Sequence, residues 1–264
     1  MTRLPINLTD LLRQRTVEGE RIEYKTGWNP DAIIRTLCAF ANDFENLGGG
    51  YVVIGQDCDA NGQPLFPPVG LADNQLDKIQ RELLAHCQLI QPPYFPVLSI
   101  EQVEGRKLIV LWAPGGQNRP YKAPEAVTAK KKTWRHYIRT VEAKGDTEQA
   151  LLSLAARVPF DDRYNQSARL DELSKPLMQA FLQEVDGALA ADAPGFSVEA
   201  LARQMNVAGG PVESPWPKNV GLLFFNETPE RFFPGVQIDV VWFPEKGWAV
   251  TASRKRSSRA RWRG

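Results

Sequence analysis

The chain has 264 residues, 43% of them hydrophobic, enough to build one large or two small cores. Its net charge of +1 conceals an asymmetry: residues 251–264 hold six of the 32 Lys and Arg and none of the 31 Asp and Glu, leaving 26 against 31 elsewhere, so overall charge gives no support to nucleic-acid binding. Three cysteines without CxxC spacing and two distant histidines argue against a disulfide framework and a zinc site. A Met1–Asp10 start with no charged-then-apolar pattern, and no long apolar run, argue against a secretory leader or a membrane span. The cytoplasm is therefore the expected compartment.

Residues 7–15 suggest a short helix with Leu8, Leu11 and Leu12 inward. ERIEYK (20–25) alternates with period two, so Ile22 and Tyr24 point one way and Arg21, Glu23 and Lys25 the other. Asn29 suits an N-cap and Pro30 the first helical position. Ile33, Ile34, Leu37, Phe40, Ala41 and Phe44 then form one apolar stripe, with Arg35, Asn42, Asp43 and Glu45 placed off it. This helix is expected to run to Leu47 and to end in the left-handed region at Gly48–Gly50. Tyr51–Ile54 reads as a buried central strand, followed by Asp57 and Asp59 in a loop.

Residues 73–88 form a second amphipathic helix with Leu76, Ile79, Leu83 and Cys87 inward. VLSIEQV and RKLIVLWAP read as a hairpin turning at Glu104 and Gly105. A Gly- and Pro-rich loop leads to a strand at 134–139, expected to join the same sheet. Arg119, Lys122, Lys130, Lys131, Lys132, Arg135 and Arg139 are interleaved there with Tyr121, Trp134 and Tyr137. That combination can neutralise phosphates and stack on bases, although a charge run is also what a solvated hairpin shows and the aromatic residues also suit a core. Helices are expected at 146–157, 171–189 and 197–207, with Ser197 capping the last. GLLFFN (221–226) and VQIDVVWF (236–243) read as two apolar strands. No P-loop and no GxGxxG opening a helix is present, so no nucleotide site is expected. The fold class is α/β (α+β): a mixed sheet packed by amphipathic helices, then a smaller helical region with two strands.

ERIEYK, AFAN, GGGYVVIG with an Asp-bearing loop, and HYIR (136–139) together resemble the AlbA-type DNA-binding domain of the Schlafen family. VPFDDRYN (158–165) and NVGLLFFNETPERFFPGVQIDVVWF (219–243) resemble the region C-terminal to that domain in bacterial transcriptional regulators and RecG-related helicases. The resemblance implies a nucleic-acid-binding domain at 1–157, a family-specific region at 158–247 and a basic tail at 248–264. Its implied role is a DNA-binding module of a regulator without a cofactor, acting on DNA or RNA through the 119–139 segment and Lys25. It also implies a rival from another class, a metal-dependent endoribonuclease in which Glu18, Glu23 and Asp57, with Asp59 as second choice, hold Mg²⁺ or Mn²⁺. The carboxylates would lower the pKa of a bound water and neutralise charge on the phosphate. A structural or protein-interaction module is the third reading, and a homo-oligomer is compatible with all three. The tail, rich in Arg and Ser and without acidic residues, is expected not to fold; the reading adopted is an out-of-frame remnant on a truncated chain rather than a phosphate-binding arm.

Overall fold

The structure, a computed structural model, describes residues 4–13, 21–138, 141–156 and 158–237. It divides into two compact units, one comprising Met1–Pro159 with Gly210–Pro215, the other Phe160–Gly209 with Trp216–Gly264. Glu18, Arg139, the 238–243 part of the second expected apolar strand and the basic tail lie outside the described residues.

The first unit begins with α1 (Leu8–Arg13), whose Leu8, Leu11 and Leu12 are buried as the spacing predicts. It continues with β1 (Ile22–Lys25), α2 (Pro30–Asn42), β2 (Gly50–Ile54), α3 (Asp73–Cys87), β3 (Val97–Val103) and β4 (Arg106–Ala113). The four strands form one mixed sheet in the order β1-β2-β4-β3, with β1 and β2 parallel and the other pairs antiparallel. Strand β2 is central, which explains why every one of its residues is buried. Val52, Ile54, Ile109, Leu111 and Ala113 face a core shared with α2 and α3. The alternation sends Ile22, Tyr24, Tyr51, Val53, Leu108 and Val110 to the opposite face, where they are buried as well. Helix α3 buries Leu76, Ile79, Leu83 and Cys87, its predicted inner stripe.

Strand β6 (Trp134–Ile138) does not join that sheet. It pairs with β5 (Lys122–Pro124) and β7 (Val141–Glu142) in a separate three-stranded sheet, and both β5 and β6 pack against α2. Helix α2 is thus covered on two sides. It buries Ile33, Ile34 and every residue from Thr36 to Asn42 rather than a single stripe, and Asn42 is fully buried instead of turned out.

The N-terminus of α2 is as predicted: Asn29 accepts from the Ala32 N–H at 3.2 Å and Pro30 sits in the first turn. The C-terminus comes earlier than predicted. Asp43, at φ 41°, is the left-handed residue that ends the helix, five positions before Gly48. The glycines serve close approach instead. A Cβ on Gly49 would come within 2.1 Å of the Ala113 carbonyl oxygen, and one on Gly50 within 2.6 Å of the Phe40 ring. Phe40, 5% exposed, is part of this core. Phe40→Ala is expected to cost about 3–5 kcal/mol of unfolding free energy in urea titrations of the first unit. Helix α4 (Asp146–Ala156) completes the unit and buries Leu151.

The second unit contains α5 (Lys175–Glu184), α6 (Val198–Gln204), the short strands β8 (Ala208–Gly209) and β9 (Trp216–Pro217), and α7 (Asn219–Phe224). The helix expected over 171–189 is shorter because Ser174 caps it from outside and Pro176 fits only its first turn. Asp186, at φ 48°, follows its end. Ser197 caps α6 as expected, accepting from the Ala200 N–H at 3.1 Å. GLLFFN is a correction: most of it lies in α7, where Leu222 joins the core with Phe225 just beyond the helix, beside Met178, Leu182, Leu201 and Val207. A short apolar run has no periodicity that separates a strand from a buried helical turn, and tertiary packing chose the helix.

Candidate nucleic-acid interface

The end of α2 is a junction built from buried polar groups. Asn42 donates through Nδ2 to the carbonyls of Tyr121 and Tyr137, each at 2.9 Å, and its Oδ1 accepts from the Tyr121 N–H at 2.7 Å. Helix α2, the strand entering β5 and β6 itself are thereby held by one amide. Cys38, one turn earlier, donates its thiol to the Tyr121 carbonyl at 3.3 Å, and burial pushes that thiol's pKa well up. The Cys87 thiol is likewise pushed up to about 12 by burial, so both sulfurs are inert core groups.

Asp43 receives the N–H groups of Leu47 (2.9 Å) and Gly48 (3.1 Å) and pairs with Arg119 at 3.3 Å. Arg119 also donates to the Asp43 carbonyl and the Asn46 side chain, both at 3.0 Å, and to the Gly116 carbonyl at 2.9 Å. Its guanidinium is consumed in closing the loop, so it has little left for a phosphate.

The other predicted contacts separate in the same way. Arg135 on β6 lies between Glu125 (2.9 Å) and Glu142 (3.2 Å), and the hydrogen bond to Glu125 raises its pKa further. Lys25 on the edge strand β1 is ion-paired with Glu23. Lys132 donates to the Ala129 carbonyl at 3.0 Å. Tyr121 and Tyr137 are core residues, 3% and 4% exposed, and the half-buried Trp134 donates its indole N–H to the Leu89 carbonyl at 3.0 Å. Tyr121 and Tyr137 therefore present no free face for stacking on a base. Lys130 and Lys131 stand exposed in the β5–β6 loop, and Lys122 is half-buried on β5. Among the described residues no acidic group pairs with any of these three lysines. The loop is anchored beneath them, by the Val127 N–H to Asp31 at 2.7 Å and the Glu125 N–H to the Thr133 carbonyl at 2.9 Å.

Of the carboxylates of the alternative reading, Asp57 and Asp59 make local backbone hydrogen bonds. Asp57 follows β2, close to the end of β1, since the Gly55 and Gln56 N–H groups donate to the Lys25 carbonyl at 2.7 and 3.2 Å. Its Oδ1 accepts from the Cys58 N–H at 2.9 Å. Asp59 accepts from Asn61 (2.8 Å) and Gln63 (2.9 Å) in a tight loop. Among the described residues, no three His, Cys, Asp or Glu side chains are grouped to hold a metal ion.

Sequence reasoning missed Asn42 and Asp43 as the structural centre, and missed Glu125 and Glu142 as neutralising partners. The i, i+4 spacing of Cys38 and Asn42 put both on one helix face, the signal that could have exposed the first.

In the second unit the two motif blocks meet. Asn219 N–H donates to the Arg163 carbonyl at 2.9 Å and Asn165 N–H to the Pro217 carbonyl at 2.8 Å. The buried Lys218 pairs with Asp162 (2.6 Å) and Asn206 (2.7 Å), while Asn219 Nδ2 donates to the Phe160 carbonyl at 2.7 Å. These motif residues are internal pins.

The first unit is thus a mixed α/β domain with a lysine-bearing hairpin clamped over its central helix. Residues 18–145 match the family model described as Schlafen, AlbA_2. No curated protein matches the chain. Among solved structures, it is 29% identical to the N-terminal domain of a RecG-related protein from Nitrosomonas europaea, covering 55% of this chain and 94% of that one with a TM-score of 0.36. It is 16% identical to the DIP2311 protein from Corynebacterium diphtheriae, covering 94% of this chain and 43% of that one with a TM-score of 0.37. Among the described residues no helix is long and apolar enough to cross a membrane.

Proposed function

We propose that the chain is a non-catalytic DNA-binding module of a cytoplasmic transcriptional regulator, contacting phosphates through the β5–β6 hairpin. The observation that carries this reading is the adjacent pair Lys130 and Lys131, exposed on an anchored loop without acidic partners among the described residues, with Lys122 and Lys132 flanking. Arg119, Arg135 and Lys25 are engaged within the fold and contribute shape and stability instead. Exposed ammonium groups bind phosphate by displacing condensed counterions, so the interaction is salt-sensitive and weakly sequence-dependent.

The test is a binding and cleavage assay with labelled duplex DNA and transfer RNA, run with Mg²⁺, with Mn²⁺ and with EDTA. Salt-sensitive binding of DNA without cleavage, unchanged by EDTA, is the expected result. Metal-dependent RNA cleavage lost in Glu23→Gln would replace this reading with the endoribonuclease, and neither binding nor cleavage would leave a structural or protein-interaction module.

A further inference from the structure

We infer that the outer edge of β3 is a self-pairing surface, through which two copies of this chain join their four-stranded sheets into one continuous sheet. The inference stands independently of nucleic-acid binding. The sheet has two edges, β1 and β3. Strand β1 has four residues and is blunted by Glu23 and Lys25, as protected edges are. Strand β3 has seven residues and pairs with β4 in one unbroken register from Val97↔Trp112 to Val103↔Arg106, without a bulge. It contains no proline, no lysine and a single charge, Glu101, so most of the side-chain devices against edge pairing are missing from the strand itself.

The hairpin turn decides which backbone groups are free. Glu104 and Gly105 have φ of 50° and 76°, the two positive values of a type I′ turn. Its flanking pair, Val103 and Arg106, is therefore hydrogen-bonded, and the bonded positions recur at Glu101, Ser99 and Val97. Leu98, Ile100 and Gln102 direct their N–H and C=O groups outward. Among the described residues no backbone hydrogen bond reaches these three from another segment.

A second copy fits this edge in antiparallel register about a two-fold axis through Ile100. Ile100 then faces Ile100 of the second copy and Leu98 faces its Gln102, so all three outward positions pair, giving six backbone hydrogen bonds by the ladder rule. In the same register Ser99 lies opposite Glu101, a hydroxyl beside a carboxylate, and Val97 lies opposite Val103. A shift that centres the axis on Glu101 would oppose two carboxylates, and one centred on Ser99 would bring Pro96 into the ladder. The strand's composition favours one register, the mark of a specific pair over a sticky edge. Leu98 and Ile100 already pack on the α2–α3 core and would extend that apolar face across the junction.

Sedimentation equilibrium of the full chain tests this directly. The mass is expected to rise from 29.6 kDa toward twice that value as concentration increases over roughly 1–100 µM. Gln102→Pro removes one outward N–H from an exposed position while sparing the β3–β4 ladder, and is expected to stay monomeric with an unchanged melt. In a Cys58→Ser background, the double variant Ser99→Cys, Glu101→Cys is expected to give a disulfide-linked dimer, because that pair is a close, non-hydrogen-bonded one. A wild-type chain monomeric throughout that range, a Gln102→Pro chain that dimerises like wild type, or no cross-link would each overturn the proposal. Should Gln102→Pro fail to fold, the cross-link and the wild-type mass decide.

Discussion

Asn42→Ala is expected to be among the most destabilising single substitutions in the first unit, lowering its unfolding free energy by about 3–6 kcal/mol. The Asn42 amide is fully buried and satisfies three backbone groups, the Tyr121 N–H, the Tyr121 carbonyl and the Tyr137 carbonyl. Removing it strands those groups away from water, at about 1–3 kcal/mol for each that finds no other partner. The Cys38 thiol still reaches the Tyr121 carbonyl, which holds the total below the sum of three full penalties. A domain's whole stability is about 5–15 kcal/mol, so a large part of it rests on this side chain. Urea titration followed by tryptophan fluorescence measures the loss. Asn42→Asp is the sharper control: it keeps the size and the acceptor for Tyr121 N–H, but turns a carboxylate toward two carbonyls. A near wild-type midpoint for Asn42→Asp would show that the donated bonds carry no weight.

Replacing Lys130 and Lys131 together by alanine is expected to weaken DNA binding without weakening the fold. Both side chains are exposed and, among the described residues, make no hydrogen bond or ion pair, so their loss is expected to remove little packing. Each phosphate interaction removed should reduce the slope of log K against log salt by about 0.9, so the pair should flatten it by about 1.8. Arg135→Ala should leave that slope close to wild type, because Glu125 and Glu142 already neutralise the guanidinium. Arg119→Ala should lower the melting temperature, since it removes four hydrogen bonds that close the end of α2. A full-strength salt slope in the Lys130, Lys131 variant, with the weakening appearing in Arg135→Ala, would move the interface off the loop tip and onto the strand.

These basic residues differ in how far their neighbours in the chain betray their surroundings. Lysines in a Gly- and Pro-rich segment are legible as exposed, because no periodicity places them on a core face. Arginines in the same segment look alike in sequence, yet Arg119 and Arg135 have carboxylate or carbonyl partners from segments far from them or across a strand. Pairing of that kind is a property of tertiary distance. The aromatic residues show the same limit: a tyrosine beside a lysine reads as a stacking platform until Tyr121 and Tyr137 are seen to be core.

Local features were legible in the residues alone. The Asn29 cap and Pro30 start of α2, the apolar spacing of α2 and α3, the central character of β2 and the turn at Glu104–Gly105 all depend on neighbours within a few residues. The order of motifs from ERIEYK to HYIR likewise pointed, without coordinates, to the family whose model matches residues 18–145. Three-dimensional packing was needed to establish that β6 leaves the main sheet to cover α2, that α2 stops at Asp43, and that GLLFFN contributes to a helix. In each case the deciding partner is distant in sequence: Tyr121 and Tyr137 for Asn42, Arg119 for Asp43, and the α5–α6 core for Leu222. Periodicity reports which faces are apolar, whereas the identity of the segment that covers them is set by contacts that no local pattern records.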